Sequence, residues 1–471
     1  MERQTKIICT IGPSVDSVAK ITKLVKKGMN CARLNFSHGT HESHLATINR
    51  IKEVRKVTPF SLPILLDTKG PEIRLVDFEN GFTVLKNGQK FTLDSTGELG
   101  NNSRVSITFS DLYKYVKPGD KIVIDDGKVS LKVTSTEPGK VHTVVTHGDK
   151  VSNHKSMNVP NVSIGMDFLS ERDKSDLLFG IQNGVDFIAA SFTRTKQDML
   201  DMRKFLDDNG GADIEIIAKI ENNEGVKNFR EILSVANGLM VARGDLGVEI
   251  PFKDIPAVQK RLVSYCNKHG KIAIVATQML ESMVNNPRPT RAEVSDVANA
   301  IFDGASAVML SGETASGQYP FEAVKTMADI SKSAFESSYN KKTTIDLSQK
   351  MTSTQSVCKA AILCSDMINA AGIVVCTNSG RTAKYMSMFR PYLPVYCLVA
   401  DEKGCNQMGL YYGTWAIKVD RQNSPEDVVK MAKEMIAFYG TKARARGKRI
   451  ILVSGDHFSY GKTDTIQIFN V

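Results

Sequence analysis

The chain has 471 residues, a formal net charge of +10 and a hydrophobic fraction of 42%. At roughly 150 residues per domain, this length predicts about three domains with substantial cores. No apolar run approaches the ~18 residues of a membrane-spanning helix, and the first residues lead directly into a predicted strand, so we expect neither a membrane protein nor a signal peptide. The basic excess suits an anionic partner, either a phosphorylated metabolite or a nucleic acid.

The positions of the cysteines and of the basic residues narrow the classes of protein and partner that the composition allows. The eight cysteines form no CxxC pair and lie mostly within apolar segments. We therefore expect buried free thiols in a reducing cytoplasm, rather than a disulfide framework or a zinc site. The densest basic stretch, residues 442–449, contains no aromatic residues and follows a predicted amphipathic helix. We interpret it as a solvated helix end favoured by the helix dipole, and we expect no nucleic-acid partner.

Eight short apolar runs each end in a residue capable of chemistry. They occupy residues 6–12, 31–38, 62–70, 186–192, 214–221, 238–245, 271–278 and 307–314. Such runs are typical of strands buried on both faces of a parallel sheet, and stretches long enough for a helix separate most of them. Eight strand–helix units predict an α/β fold, a (β/α)8 TIM barrel with its active site at the C-terminal ends of the strands.

The even spacing of these runs is interrupted once, between the third and fourth. Residues 71–166 instead contain short alternating segments separated by turn signals such as Asn87-Gly88 and Asp126-Gly127. This pattern predicts a small antiparallel β-barrel or sandwich, inserted on the active-site face where it can act as a lid. The predicted catalytic barrel therefore comprises residues 1–70 and 167–340.

Residues 341–471 alternate predicted helices and strands after a polar linker. The predicted helices lie at 356–371, after residue 381 and at 424–439, and the predicted strands at 372–377, 395–399, 414–419 and 450–455. This order predicts a C-terminal doubly wound α/β domain. A candidate anion cradle at a helix N-terminus consists of Thr377, Ser379, Gly380, Arg381 and Thr382. Ordinary N-capping explains its hydroxyl groups equally well.

Charged residues end the fifth and sixth predicted strands. Lys219 and Glu221 are two apart, so both point to the barrel mouth, and Asp245 ends the next strand. Two carboxylates from adjacent strands suit Mg2+, and Lys219 beside them would neutralise a transferring phosphoryl group or an enolate. The alternative is a structural Lys219–Glu221 ion pair, which Asp245 makes less attractive. Gly244 would allow close approach of a substrate, whereas Thr277 alone is typical of a capping residue.

The second and third predicted strands end in oxygen-bearing side chains. Arg33 suits a bidentate phosphate contact. Asn35, Ser37, Asp67 and Thr68 offer amide, hydroxyl and carboxylate oxygens suited to a hard cation.

Histidines recur at intervals of three, at His38, His41 and His44. This spacing invites a zinc site, but the first and third histidines would lie well apart around a helix that we expect to begin near His38. We therefore favour solvent-facing helix residues over a zinc site.

Longer motifs allow a family to be recognised. They are CTIGP, GMNCARLNFSHG, LLDTKGPEIR, AASFTR, AKIENNEG, MVARGDLGVEIP, ATQMLESM, NPRPTRAEVSDVANAI and MLSGETASGQYP, in this order. Together they resemble the pyruvate kinase family over essentially the whole chain. The resemblance implies transfer of the phosphoryl group of phosphoenolpyruvate to ADP, giving pyruvate and ATP in the last step of glycolysis. It also implies Mg2+ (or Mn2+) and K+ as cofactors, a cytoplasmic location and a homotetramer.

The resemblance also implies residue roles. The catalytic residues are Lys219, Arg33 and Thr277. The substrate-binding residues are Arg33, Lys219, Gly244, Asp245 and Thr277. The nucleotide-binding residues are Asn35, His38, Arg74 and Lys155. The Mg2+ ligands are Glu221 and Asp245, the K+ ligands are Asn35, Ser37, Asp67 and Thr68, and Glu72 is the residue type of K+-dependent members.

The sequence departs from the family pattern at two places, and two rival functions remain open. Ser316 replaces a lysine common in relatives, and the loop 454–464 differs from the usual pattern. The effector that the cradle would bind is therefore open between a sugar phosphate and AMP. A Mg2+-dependent lyase acting on pyruvate or enolpyruvate in a similar barrel is the rival enzyme. A basic RNA-binding protein on a retired enzyme fold is the rival outside enzymes.

Overall fold

The computed structural model describes residues 3–58, 61–337, 350–420, 425–438, 449–455 and 463–470, with side chains in the 425–438 segment described only at 427–435. The chain begins with β1 (Lys6–Thr10), α1 (Val18–Lys27), β2 (Cys31–Asn35), α2 (His41–Val57) and β3 (Ile64–Asp67). Ser17 and Thr40 cap the two helices with their hydroxyl groups. These elements begin the predicted barrel.

A small β-domain follows β3. Its strands are β4 (Ile73–Arg74), β5 (Phe82–Val84), β6 (Lys90–Asp94), β7 (Arg104–Ser106), β8 (Lys121–Ile124), β9 (Val129–Glu137), β10 (Lys140–His147), β11 (Lys150–Ser152) and β12 (Ser156–Asn158). Seven of them form one sheet in the order β4-β12-β8-β9-β10-β6-β7, and β11 pairs with β5. The sheet is not purely antiparallel as predicted, because β6 and β7 pair in parallel. A segment of nine residues (95–103) separates those two strands, which is too long for a tight hairpin.

The remaining barrel elements alternate strands and helices. They are α3 (Glu171–Asn183), β13 (Phe187–Ala190), α4 (Lys196–Asp208), β14 (Glu215–Ile220), α5 (Asn223–Val235), β15 (Gly238–Ala242), α6 (Arg243–Glu249), α7 (Ile255–Lys268), β16 (Ile272–Ala276), α8 (Arg291–Phe302), β17 (Ala307–Leu310), α9 (Gly312–Ala315) and α10 (Pro320–Glu336). Eight parallel strands close in the order β1-β17-β16-β15-β14-β13-β3-β2. The predicted barrel is therefore confirmed.

Alternation along each barrel strand builds two apolar layers. Ile8, Leu65, Ile217 and Met240 belong to a cluster that fills the lumen. Their neighbours along the strands, such as Ile7, belong to the layer beneath the helices. A filled lumen leaves the ends of the strands as the place for a site.

The C-terminal region is an α/β domain with a mixed sheet. Its elements are α11 (Ser353–Met367), β18 (Gly372–Thr377), α12 (Arg381–Met388), β19 (Val395–Val399), α13 (Glu402–Gln407), β20 (Thr414–Lys418), α14 (Pro425–Phe438), β21 (Arg449–Ser454) and β22 (Thr465–Asn470). The sheet order is β20-β19-β18-β21-β22, and β22 is antiparallel to β21.

The C-terminal region departs from the prediction at an additional edge strand and at the start of its first helix. We predicted no strand at 465–470, where β22 lies at the edge of the sheet. The first C-terminal helix begins at Ser353 rather than at residue 356, because Thr352 and Gln355 form a capping box. Most of the basic stretch 442–449 and of the loop 454–464 lies outside the described residues. Within the described residues, no helix is long and apolar enough to cross a membrane.

Candidate active site

Asp67 lies at the centre of a charged group at the barrel mouth. Its side chain is fully buried, Oδ2 accepts a hydrogen bond from Arg33 Nε at 2.7 Å, and Oδ1 accepts one from Lys219 Nζ at 2.9 Å. Burial alone would raise the pKa of Asp67, but the Arg33 and Lys219 charges outweigh it and hold the pKa below its usual range. The structure therefore brings together three predicted site residues from three strands.

Lys219 also contacts two further side chains. Its Nζ lies 2.9 Å from Glu221 Oε1, and it donates a hydrogen bond to Ser191 Oγ at 2.8 Å. Ser191 Oγ in turn donates to Thr68 O at 2.6 Å. Sequence reasoning missed Ser191, although it follows directly after the fourth barrel strand, where the rule that found Lys219 applies equally.

Glu221 and Asp245 have unused capacity to bind a cation. Glu221 Oε2 accepts a hydrogen bond from Phe192 N at 2.6 Å, whereas its buried Oε1 has an ion pair with Lys219 but no hydrogen bond. Burial raises the pKa of Glu221. The Lys219 charge offsets only part of this rise, because Lys219 also pairs with Asp67. The charge of Asp245 raises the pKa of Glu221 further. Among the described residues, none donates a hydrogen bond to the carboxylate of Asp245.

These properties fit a hard divalent cation. A cation would supply the positive charge that this pair of carboxylates lacks, and Mg2+ binds through a few carboxylates plus water and substrate oxygens. The described residues contain no group of three or more His, Cys, Asp or Glu side chains arranged to hold a metal. The remaining ligands would therefore come from water or substrate.

Thr277 lies at the end of β16 in a strained conformation. Its φ is 69° and that of Gln278 is 52°, both in the left-handed region, which a β-branched residue rarely adopts. Such strain costs about 1–3 kcal/mol per residue and concentrates at functional sites. Thr277 Oγ1 accepts a hydrogen bond from Gly244 N at 2.7 Å and donates one to Ala276 O at 2.6 Å. Thr277 and Gly244, which were both predicted to bind the substrate, therefore contact each other.

Arg243 braces this turn. Its Nη2 donates to Thr277 O at 2.8 Å, and its Nη1 donates to Asp296 Oδ1 at 2.7 Å. A Cβ at the neighbouring Gly244 would meet Thr277 Oγ1 at 3.5 Å, which is an ordinary contact. Packing of the protein therefore does not require glycine there, which is in keeping with close approach of a ligand.

Comparisons with known proteins agree with this geometry. Residues 2–324 match the model of the pyruvate kinase barrel domain, and residues 355–469 match that of the pyruvate kinase alpha/beta domain. The chain belongs to the pyruvate kinase family. The pyruvate kinase of Geobacillus stearothermophilus is 44% identical, over 100% of this chain and 80% of the relative. That of Clostridium perfringens is 44% identical, over 99% of both chains.

A solved structure gives the same result for the fold. The crystal structure of a pyruvate kinase from Cryptosporidium parvum superposes with a TM-score of 0.91 at 36% identity, covering 100% of this chain and 96% of that one. The predicted fold class and family are therefore confirmed, and with them a phosphotransferase that uses phosphoenolpyruvate and ADP. The pyruvate kinase family generally requires a divalent cation and K+.

The residues predicted to bind the nucleotide are not all brought together. On the β-domain, Arg74 Nε donates to Glu72 Oε2 at 2.7 Å, and Lys155 Nζ lies 2.9 Å from Asp125 Oδ1. Both cations are therefore paired with carboxylates, and a phosphate would have to compete with these. His38 lies exposed on the loop after β2.

The four oxygen-bearing residues predicted for K+ lie on adjacent strand ends. Asn35 is in register with Asp67 across β2 and β3, and Asn35 Oδ1 accepts a hydrogen bond from Ser37 N at 3.1 Å. Thr68 Oγ1 accepts one from Ser191 N at 3.1 Å. A monovalent cation here would share Asp67 with the Arg33 and Lys219 donors.

The histidine motif has packing roles that we did not predict. The helix begins at His41 rather than near His38, because Thr40 forms the capping box. His41 Nε2 lies 2.6 Å from Asp176 Oδ1, and the ring of His44 stacks on Phe36 with centroids 4.0 Å apart. His41 and His44 are half-buried, so the solvent-facing interpretation was wrong for these two, whereas His38 is exposed but precedes the helix.

The candidate effector cradle lies at the start of α12. The N-cap is Gly380, with φ of 79° and no side-chain capping hydrogen bond, so the N-capping alternative is not observed. Thr382 Oγ1 lies 2.7 Å from Thr463 Oγ1, while Ser379 and Arg381 are exposed and Thr377 is buried. Residues 456–462 of the neighbouring loop lie outside the described residues.

Proposed function

We propose that the residues converging at the barrel mouth carry out the pyruvate kinase reaction of this chain. The observation that carries this assignment is the position of Lys219, between Asp67 at 2.9 Å and Glu221 at 2.9 Å, with the Asp245 carboxylate nearby and unpaired within the described residues. Phosphoryl transfer depends on positioning and charge neutralisation more than on covalent chemistry, and this cluster supplies both.

Arg33 and Lys219 would bind the phosphoryl group of phosphoenolpyruvate. Both are buried and positioned by Asp67, so they are aimed before substrate arrives and need little reorganisation. Lys219 would also stabilise the enolate oxygen that remains after transfer. Gly244, Asp245 and Thr277 would contact the substrate carboxylate.

Two cation sites support this assignment. Glu221 and Asp245 would hold Mg2+ or Mn2+, which supplies positive charge beside the transferring phosphoryl group and the enolate. Asn35, Ser37, Asp67 and Thr68 would hold K+, and Glu72 lines the cavity between the lid and the barrel loops.

Thr277 would deliver a proton to the enolate carbon and so complete pyruvate. Its hydroxyl is fixed between Gly244 N and Ala276 O, and Arg243 holds the carbonyl of the same residue. A hydroxyl so constrained can accept and release a proton without moving, which is what a relay requires.

The β-domain would close over the site as a lid. Arg74 and Lys155 would exchange their carboxylate partners for nucleotide phosphates, and Asn35 and His38 would contact the nucleotide from the barrel side. Exclusion of water by the lid would direct the phosphoryl group to ADP rather than to hydrolysis. We also propose the domain limits: residues 1–70 with 167–340 for the barrel, 71–166 for the lid and 341–471 for the C-terminal domain.

The cradle at Thr377, Ser379, Gly380, Arg381 and Thr382 would bind a phosphorylated effector, a sugar phosphate or AMP. Backbone amides at an uncapped helix N-terminus favour an anion. We further propose that the protein is a homotetramer and that it is cytoplasmic. A reducing compartment would keep its eight free cysteines as thiols.

One assay tests the central proposal. Phosphoenolpyruvate, ADP, Mg2+ and K+ are incubated with the protein, and pyruvate and ATP are measured together. We expect equimolar pyruvate and ATP, and no pyruvate without ADP. Pyruvate without ATP, or no ADP dependence, would favour the lyase alternative. RNA binding that weakens steeply with salt and is unaffected by substitution of Lys219 would favour the binding-protein alternative.

A further inference from the structure

A hydrogen bond joins the lid sheet to the helix that carries two proposed substrate-binding residues. Asn158 is the last residue of β12, and its Nδ2 donates to Glu249 Oε1 at 3.0 Å. Glu249 is the last residue of α6, and the first turn of that helix contains Gly244 and Asp245. Movement of the lid sheet therefore acts directly on α6.

The interface around this bond is not held by close packing. A cavity of about 400 Å³ separates the lid from the loops that follow the barrel strands, and Asn158 and Glu249 both line it. Ile73 and Phe192 face it from opposite sides. Because the walls of an open cavity make few dispersion contacts with each other, discrete polar contacts there help to hold the lid in place.

Like charges oppose closure of the lid. Asp126 on the lid has a pKa raised by burial and then by the charge of Asp245 on the barrel. Glu249 has a pKa raised by burial and by Asp245, and the hydrogen bond from Asn158 lowers it. The amide of Asn158 therefore attracts Glu249 across an interface at which the other carboxylates repel one another.

Other hydrogen bonds between the lid side and the barrel lie on residues 159–166, the linker by which the chain returns from the lid to the barrel. Ser163 Oγ donates to Glu224 Oε2 at 2.8 Å, and Arg194 Nη1 donates to Ile164 O at 2.7 Å. These contacts reach α5 and the segment before α4, and they do not involve α6. They fix this linker, which forms the base of the lid, and leave the lid sheet unattached.

We propose that Asn158 and Glu249 form a latch, acting as positioning residues that hold the lid closed and fix α6 with its substrate-binding turn. This inference rests on the function proposed above. The latch requires one donor and one acceptor at this contact, regardless of which side carries the amide. A pair with the two roles exchanged should therefore work, whereas two facing carboxylates should not.

Four variants test this requirement with minimal change in shape. Asn158→Asp places two carboxylates at the contact, Glu249→Gln keeps an acceptor for Asn158, and the double variant Asn158→Asp/Glu249→Gln reverses the bond. Ser163→Ala is the matched control, because it removes a lid-side hydrogen bond that does not reach α6. Hydrogen–deuterium exchange without substrates is measured on peptides covering residues 243–250 and 150–159.

In Asn158→Asp we expect exchange in both peptides to accelerate about tenfold, the effect of losing one charge-assisted hydrogen bond, with unchanged exchange in the C-terminal domain. We expect kcat/KM for ADP to fall about tenfold. The double variant should return both quantities to within about threefold of the parent. Glu249→Gln and Ser163→Ala should also remain within about threefold.

A double variant no better than Asn158→Asp would overturn the latch, and so would accelerated exchange throughout the molecule. An equal loss in Ser163→Ala would assign the effect to the lid base instead and contradict the proposal. The exchange measurement uses no substrate, so it judges the latch even if the parent protein lacks the proposed activity. Absence of activity in the parent would contradict the proposed function alone.

Discussion

Lys219 and Asp67 meet at 2.9 Å although their strands are not neighbours in the barrel. Lys219 belongs to β14 and Asp67 to β3, and β13 lies between them in the sheet. Inward-pointing side chains of alternate strands share one layer of a (β/α)8 barrel, which explains the contact. The ion pair places the ammonium group at the mouth before any substrate is bound.

Replacement of Lys219 should remove most of the activity without unfolding the protein. In Lys219→Met we expect kcat to fall at least ~100-fold, the scale of one lost electrostatic contact to the transition state. Steady-state kinetics, with circular dichroism to monitor the fold, measure this.

Lys271→Met is the matched control for Lys219→Met. Lys271 is a half-buried lysine directly before β16, at the opposite end of the barrel, where its Nζ donates to Ala236 O at 2.7 Å. We expect it to keep kcat within about threefold. A near-normal rate in Lys219→Met would remove Lys219 from the mechanism.

The hydroxyl group of Thr277 should matter more than its methyl group. Thr277→Ala loses the acceptor for Gly244 N and the proposed proton relay, so we expect kcat to fall about 100-fold. Thr277→Ser keeps the hydroxyl and relieves β-branched strain at a φ of 69°, so it should stay within about fivefold of the parent and melt no lower. Equal activity of the two variants would exclude a role for the hydroxyl.

Activity should depend on a small monovalent cation. Replacing K+ with tetramethylammonium at constant ionic strength should abolish turnover, because the site proposed at Asn35, Ser37, Asp67 and Thr68 would require a small ion that these oxygens can contact directly. Thermal unfolding in both salts separates this effect from loss of the fold. Unchanged turnover in tetramethylammonium would reject the monovalent site.

Stability of the lid should depend on pH through Asp94. Burial alone would raise the pKa of Asp94, but hydrogen bonds from Arg104, Ser106 and Thr96 outweigh it and lower the pKa to about 2. Because this pKa lies below that of an unfolded aspartate, the stabilisation is complete above about pH 4 and is lost as the pH falls through about 2.

Asp94→Asn should therefore lower the free energy of unfolding of the lid at pH 7 by about 1–2 kcal/mol, and the difference from the parent should shrink between about pH 4 and pH 2.5. Urea unfolding followed by hydrogen exchange of lid peptides measures it. Asp111→Asn is the control, since Asp111 forms only an exposed pair with Lys114 among the described residues. A difference independent of pH would contradict the role of the Asp94 charge.

The strands of the barrel could be predicted because their burial on both faces produces continuous apolar runs, and their ends could be predicted because parallel strands share one edge. Lys219, Glu221 and Asp245 follow from that rule. Ser191 follows from it too and was missed because a serine after two alanines has no charge to draw attention.

Other features depend on contacts that no local pattern contains. The strain at Thr277 and its bracing by Arg243 arise from a turn held by a distant strand end. The pairing of Lys155 with Asp125 joins residues 30 positions apart in sequence, so no short sequence motif could have predicted it. The edge strand β22 was missed because it is only partly buried and therefore lacks the continuous apolar run by which the buried strands were recognised.

The most direct test of the account is the position of a bound divalent cation. Crystals grown with Mn2+ are measured at the manganese absorption edge, and the anomalous map is calculated. We predict a peak within about 2.5 Å of a carboxylate oxygen of Glu221 and of one of Asp245. A fully occupied Mn2+ that contacts neither carboxylate, with the barrel mouth empty, would contradict the account.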